Sequence, residues 1–233
     1  MICAVVTHRG VGMPLNTSRF WHPAHTDDVA LVLGDIQSLF SFHAPDADCS
    51  QSVGADGTAS SSSACWEHAD PPVRVFLVGY SAGSNILLQT VLKKCGSLMH
   101  LIAAAMCVCV TYDYKQSVKN LETTFIGRTY SGFMAMLFKE TVIRNAPMVL
   151  SKSRSDEILA KSRSCTKLSE FDTFASTALY GYSDSNEYFT DCSAFDIDKV
   201  SLPLLVVQPQ DDPLHHKHIN DNIDVAAYIG ILN

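Results

Sequence analysis

Val73-Arg74-Val75-Phe76-Leu77-Val78-Gly79-Tyr80-Ser81-Ala82-Gly83 is the stretch that decides the fold of this chain. Val75 to Val78 are apolar and partly β-branched, as in a strand, and Ile86, Leu87, Leu88, Val91 and Leu92 follow at roughly helical spacing. Between them stands Gly-x-Ser-x-Gly, which predicts a sharp strand-to-helix turn with Ser81 at its tip. Such a turn closes only with small neighbours, here Gly79 and Gly83, and it lifts the serine hydroxyl toward a helix N-terminus. Ser81 therefore reads as a nucleophile, and the backbone N–H of Ala82 as a donor to the oxyanion that its attack creates. An ordinary Gly-rich turn is the alternative that the pentapeptide alone leaves open.

Working toward the N-terminus, Ile2 to Val6 predict a strand, ending in Thr7-His8-Arg9-Gly10. Thr26-Asp27-Asp28 precede Val29, Leu31, Val32, Leu33, Ile36, Leu39 and Phe40, which predicts an N-capped amphipathic helix. Its aspartates are cap and dipole partners before they are acids. From about residue 44 to 70 the composition turns to Ser, Ala, Gly and Asp, with Ser60 to Ser63 unbroken, and predicts a surface insertion.

Toward the C-terminus, Leu101 to Val110 predict a strand buried on both faces of a parallel sheet, with Cys107 and Cys109 serving as small hydrophobes. Residues from about 112 to 200 predict a mostly helical lid over the carboxyl edge of that sheet. Phe133, Met134, Met136, Leu137, Phe138, Val142 and Ile143 form its apolar stripe, which either packs internally or offers a surface to an acyl chain. Pro203 to Val207 predict another strand, and Asp211-Asp212-Pro213 lie just past its end. Alternating strands and helices predict one α/β domain over residues 1–233 with a mostly parallel sheet. Asp212 then sits at the same edge as Ser81, where it could orient an imidazole, although turn chemistry beside proline also explains an aspartate there.

The bulk composition narrows the chemistry. With 233 residues and 47% hydrophobic content the chain can bury a large core, while a net charge of −7 and the lack of any basic run argue against a nucleic-acid partner. The longest apolar run is about half a bilayer span and the N-terminus lacks the regions of a secretory signal, so the sequence carries no address and leaves location open between cytoplasmic and membrane-associated. Eight scattered cysteines read as reduced thiols. His215-His216-x-His218 reads as a polar loop, and neither a metal nor another cofactor is expected.

Several stretches together resemble the α/β-hydrolase superfamily, and more narrowly the AB hydrolase 4 group of YheT-like esterases and lipases. They are Val5 to Gly12, Thr26-Asp27-Asp28, Gly79 to Asn85, Glu170-Phe171-Asp172 with Leu179-Tyr180-Gly181 and Tyr188, and Pro203 to Pro213. The resemblance implies an α/β-hydrolase fold, with Ser81 as nucleophile and Asp212 as triad acid. It implies hydrolysis of carboxylic esters, with acylglycerols, short acyl esters or phospholipids as the small acyl-ester or lipid substrate. Membrane contact would come through the lid or through an N-terminal anchor outside this chain.

The triad histidine has no match. In this superfamily it follows one further strand, roughly 25–30 positions past the acid, which falls beyond Asn233. His215, His216 and His218 lie too close behind Asp212, His8 lies at the correct edge beside a turn, and His100 should point to the opposite edge. No loop of the kind that supplies a second oxyanion donor precedes Ile2. The expected fold is thus incomplete, with the first strands and the last strand and helix missing. The alternative function is a catalytically impaired fragment or pseudoenzyme that binds lipid or protein.

Overall fold

The computed structural model describes residues 3–17, 19–41, 74–93, 98–209, 212, 214 and 229–232. The predicted insertion at 44–70 and the histidines at 215, 216 and 218 lie outside the described residues.

Strands β1 (Val75–Tyr80), β2 (Ile102–Val108), β3 (Leu204–Pro209) and β4 (Ile229–Leu232) form one sheet in the order β1-β2-β3-β4. All three pairings are parallel, with Gly79 opposite Cys107, Val108 opposite Val207 and Val206 opposite Ile229. β4 is a strand that the sequence pattern did not assign. Parallel pairing puts every strand's carboxyl end at one edge, so Ser81 and Asp212 share an edge as expected. Helix α1 (Asp27–Ser41) precedes the sheet, and α2 (Ala82–Lys93) returns from the carboxyl end of β1 across one face. The core there is made by Leu87, Leu88 and Val91 of α2 against Ile102, Ala105, Cys107, Leu204 and Val206.

Two strand expectations are corrected. Residues 3–8 form no strand, and Val5 is 86% exposed. A strand exists only where a neighbour accepts its ladder, and no described segment lies beside these residues to do so. β2 buries Ile102, Ala105 and Cys107 and leaves its other residues half-buried, rather than being fully buried on both faces. The second face of the sheet leaves Phe76, Val78 and Tyr80 exposed, because no described element covers it.

Between β2 and β3 the chain is helical. It runs through α3 (Tyr114–Leu121), α4 (Phe125–Val149), α5 (Lys152–Ser164), α6 (Leu168–Glu170), a π-helical stretch (Phe171–Ser176), α7 (Thr177–Tyr180) and α8 (Ser185–Cys192). Local chemistry sets the boundaries. Thr124 caps α4 by accepting from Gly127 N at 3.0 Å, and Asp184 caps α8 by accepting from Asn186 N and Glu187 N at 2.8 and 2.9 Å. Gly181 ends α7 at φ 80°, a conformation suited to glycine.

Buried side chains tie this helical segment to the sheet. Asn85 of α2, 1% exposed, donates to Thr111 O at 2.7 Å and Cys192 O at 3.0 Å, and accepts from Thr111 N at 3.0 Å. Glu122 accepts from Ser131 Oγ at 2.7 Å and from Ser169 N and Oγ at 3.1 and 2.8 Å, joining α4 to α6.

Candidate active site

The turn after β1 has the conformation its sequence predicts. Ser81 lies at φ 51°, the left-handed region that a non-glycine residue occupies only when its surroundings hold it there. Its N–H donates to Val108 O at 2.8 Å, and its carbonyl accepts from Ser84 N at 2.8 Å. Fully buried Ser84 Oγ lies 2.7 Å from Gly79 O and 2.8 Å from Val108 O, and accepts from Val108 N at 3.0 Å, fastening α2 to both strands.

The two glycines of the motif have different reasons. A Cβ on Gly79 would lie 2.6 Å from Gly83 O and 2.7 Å from Ser84 Cα, so helix and strand could not approach. A Cβ on Gly83 would meet nothing within 4 Å, which corrects the expectation that both must be small.

Ser81 and Ala82 line a cavity of about 80 Å³ closed by the helical segment. Met134, Phe138 and Val142 line it from α4, whereas Phe133, Met136 and Leu137 of the same helix are exposed. The apolar stripe is therefore divided between a face that lines the cavity and a face that is exposed. Ala82 is the first residue of α2, so its N–H has no carbonyl one turn behind it and is left for a partner in the cavity.

Asp212 follows β3, two strands from β1, a separation of about 10 Å at the usual strand spacing. Asp212 is not itself in the cavity wall, though Leu214 is. Its Oδ2 accepts from Gln208 Nε2 at 3.3 Å and its Oδ1 from Leu214 N at 2.9 Å. Cys109, at φ 57°, lies past the end of β2 rather than within it, and stands between the two strand ends. Its thiol pKa is raised by burial and then by the charge and hydrogen bond of Asp212, so it stays a thiol.

Four histidines are described, and none is set as a base for Ser81. His8 stacks on Trp21 with ring centroids 4.6 Å apart, and burial lowers its pKa. His25 is buried beside Asp27 and Asp28 at the start of α1, and His100 precedes β2 at the opposite edge, as expected. His22, which the sequence pattern did not single out, lines the cavity with Ser81. Its Nδ1 accepts from Ala24 N at 3.3 Å, and burial brings its pKa down to about 4. Both oppose the imidazolium that a general base must become.

Asp172 also escaped notice as a site residue. It is 1% exposed and lines the cavity from the π-helical stretch. Its Oδ1 accepts from Ser176 Oγ at 3.1 Å and Tyr188 O–H at 3.3 Å, while Oδ2 has no hydrogen-bond partner among the described residues. Burial, offset by these donors, raises its pKa to about 7. At the start of α1, Arg9 forms a two-pronged ion pair with Asp28, adding to that aspartate's expected role at a helix N-terminus.

No family model matches the chain. It is 26% identical over 212 residues to a protein named "Putative esterase YheT" of Escherichia coli (strain K12), covering 90% of this chain and 52% of that protein. It is 24% identical over 218 residues to phospholipase ABHD3 of Homo sapiens, covering 93% and 44%. It is 25% identical over 162 residues to monoacylglycerol lipase ABHD2 of Mus musculus, covering 64% and 37%. The chain thus spans about half the length of the first two relatives. These relatives support the resemblance to the α/β-hydrolase superfamily and to its YheT-like esterases and lipases.

Proposed function

We propose that this chain carries the nucleophile and lid of a carboxylic ester hydrolase that works through an acyl-enzyme on Ser81. The observation that carries the proposal is the left-handed φ of 51° at Ser81, at a strand-to-helix junction facing a largely apolar cavity. Strain of that kind persists only where surrounding contacts hold it, and here it presents a hydroxyl beside a free helix N-terminus. Ser81 Oγ attacks the ester carbonyl, and Ala82 N–H receives the oxyanion. The alcohol then leaves, and water releases the acid from the acylated serine. In this scheme Asp212 orients the imidazole that removes the serine proton. The esterase, phospholipase and monoacylglycerol lipase names of the relatives support acyl esters or lipids as substrates.

The helices from α3 to α8 act as the lid, and the exposed apolar face of α4 is the part suited to a lipid surface. The cavity of about 80 Å³ suits a short acyl or alcohol group, and a long acyl chain requires the lid to shift. Among the described residues no helix is long and apolar enough to cross a membrane.

A second proposal, a lipid- or protein-binding module without full catalysis, is favoured by one observation. No described histidine is placed to serve Ser81. The two proposals separate on p-nitrophenyl esters of increasing acyl length. The hydrolase hydrolyses the short esters at a rate that Ser81→Ala abolishes, whereas the binding module gives wild type and Ser81→Ala the same background rate.

A further inference from the structure

The cavity wall is apolar over most of its area, and the hydrogen bonds of several of its polar groups can be followed atom by atom. Tyr180 O–H donates to Trp21 O at 2.6 Å, and Asn85 is fully engaged between Thr111 and Cys192. Tyr188 and Ser176 both donate to the same oxygen of Asp172. Two polar atoms of the lining residues are left over among the described residues, Ser117 Oγ and Asp172 Oδ2, both buried and without a hydrogen-bond partner, and of the two Asp172 carries the carboxyl. A carboxyl oxygen in an apolar cavity is costly unless something meets it, and a buried polar atom left unmatched calls for an explanation that a ligand group can supply. Its position in a π-helical stretch fits, since such stretches recur at functional sites.

We propose that Asp172 is a specificity-determining residue, whose free carboxyl oxygen hydrogen-bonds a hydroxyl on the acyl or alcohol part of the bound ester. The assignment rests on the proposed substrate class but not on Ser81 chemistry. The groups that face Asp172 are Tyr114 from α3, Glu122 after it, Cys165 after α5, Tyr180 from α7, and Tyr188 and Cys192 from α8. None is a cation. Burial keeps the three phenols protonated, and the Glu122 charge joins burial in favouring the neutral acid at Asp172. A neutral carboxyl among neutral phenols suits an uncharged hydroxyl, which can both give and accept, and disfavours an anionic or ammonium group. A site built around such a bond discriminates strongly against an analogue lacking the oxygen, because its own polar atom is then left unmatched.

Two non-hydrolysable ligands of like size test this: 1-O-butylglycerol and butyl propyl ether, titrated against the full chain near pH 6 and read by fluorescence of Trp21, which lies in the cavity wall. Wild type is expected to bind the glycerol ether about tenfold or more tightly. Asp172→Asn, which keeps a donor at that place, should hold the preference within about threefold, and Asp172→Leu should reduce it to within about twofold. Should Asp172→Leu fail to melt cooperatively, Asp172→Ala makes the same reading. The proposal is overturned if wild type shows no preference or no saturable binding, if the preference survives in a folded Leu or Ala variant, or if butylammonium competes better than the glycerol ether. If the ester-hydrolase proposal alone fails, the preference stays intact on a chain that hydrolyses nothing.

Discussion

Asp172→Asn removes one titrating group while keeping the shape of the side chain, so the pH dependence it deletes belongs to the buried carboxyl alone. Burial raises the Asp172 pKa from 3.8 to about 7, against the nearby hydroxyls of Ser176, Tyr188 and Tyr114, which lower it. An acid whose folded-state pKa lies above its unfolded value binds its proton more tightly when folded. Its contribution to stability is therefore fully present below about pH 4 and is lost as pH rises through about 7. The whole displacement corresponds to roughly 4 kcal/mol, of which about 3 kcal/mol falls between pH 5 and pH 8. Urea unfolding of both proteins at those two pH values should show Asp172→Asn gaining about 3 kcal/mol on wild type at the higher one. Any effect of the new amide on packing is the same at both pH values and cancels. His22 acts in the opposite sense: burial lowers its pKa from 6.5 to about 4, so its contribution is present above 6.5 and lost as pH falls through about 4. The two windows overlap, which is why the difference between the proteins, rather than the wild-type curve, is the readout. A stability difference that does not change with pH would refute the reasoning.

The glycines of the nucleophile turn should respond unequally. Gly79→Ala forces a methyl group into the backbone of Gly83 and Ser84 and is expected to lose about 3 kcal/mol or to fail to fold. Gly83→Ala meets open space on the first turn of α2 and should be neutral or gain up to about 1 kcal/mol, both read by thermal melting. Asn85→Leu strands the peptide groups of Thr111 and the carbonyl of Cys192 in the interior. It should cost about 3 kcal/mol or more in urea unfolding and speed hydrogen exchange in the loop after β2.

Features that depend on neighbours in the chain were legible in the sequence. The Ser81 turn follows from a strand, a glycine spacing and a helix standing in line, and α1 from a capped apolar repeat. Asp212 was placed at the right edge because parallel strands put their ends together. Features that depend on distant segments were not. Residues 3–8 have the composition of a strand but no neighbour to pair with among the described residues, and pairing is not a property of composition. β4 is four residues containing a glycine, Ile229-Gly230-Ile231-Leu232, too short for an alternating pattern. His22 and Asp172 lie 150 positions apart in sequence, and only the helices packed over the sheet bring both into one cavity with Ser81. Nothing local distinguishes His22. For Asp172, the signature Glu170-Phe171-Asp172 was noticed as a family likeness, but the unmatched oxygen that gives it a chemical role is visible only when its neighbours can be counted.

The account stands most directly on whether Ser81 is chemically activated. Incubating the folded chain with a fluorophosphonate and mapping the adduct by peptide mass spectrometry tests this without knowledge of the substrate. The expected result is one adduct, on the peptide carrying Ser81, that is absent from Ser81→Ala and slowed in Asp212→Asn. Folded protein that takes up no probe, or takes it up equally in the Ser81→Ala variant, would contradict the hydrolase assignment and leave the binding module in its place.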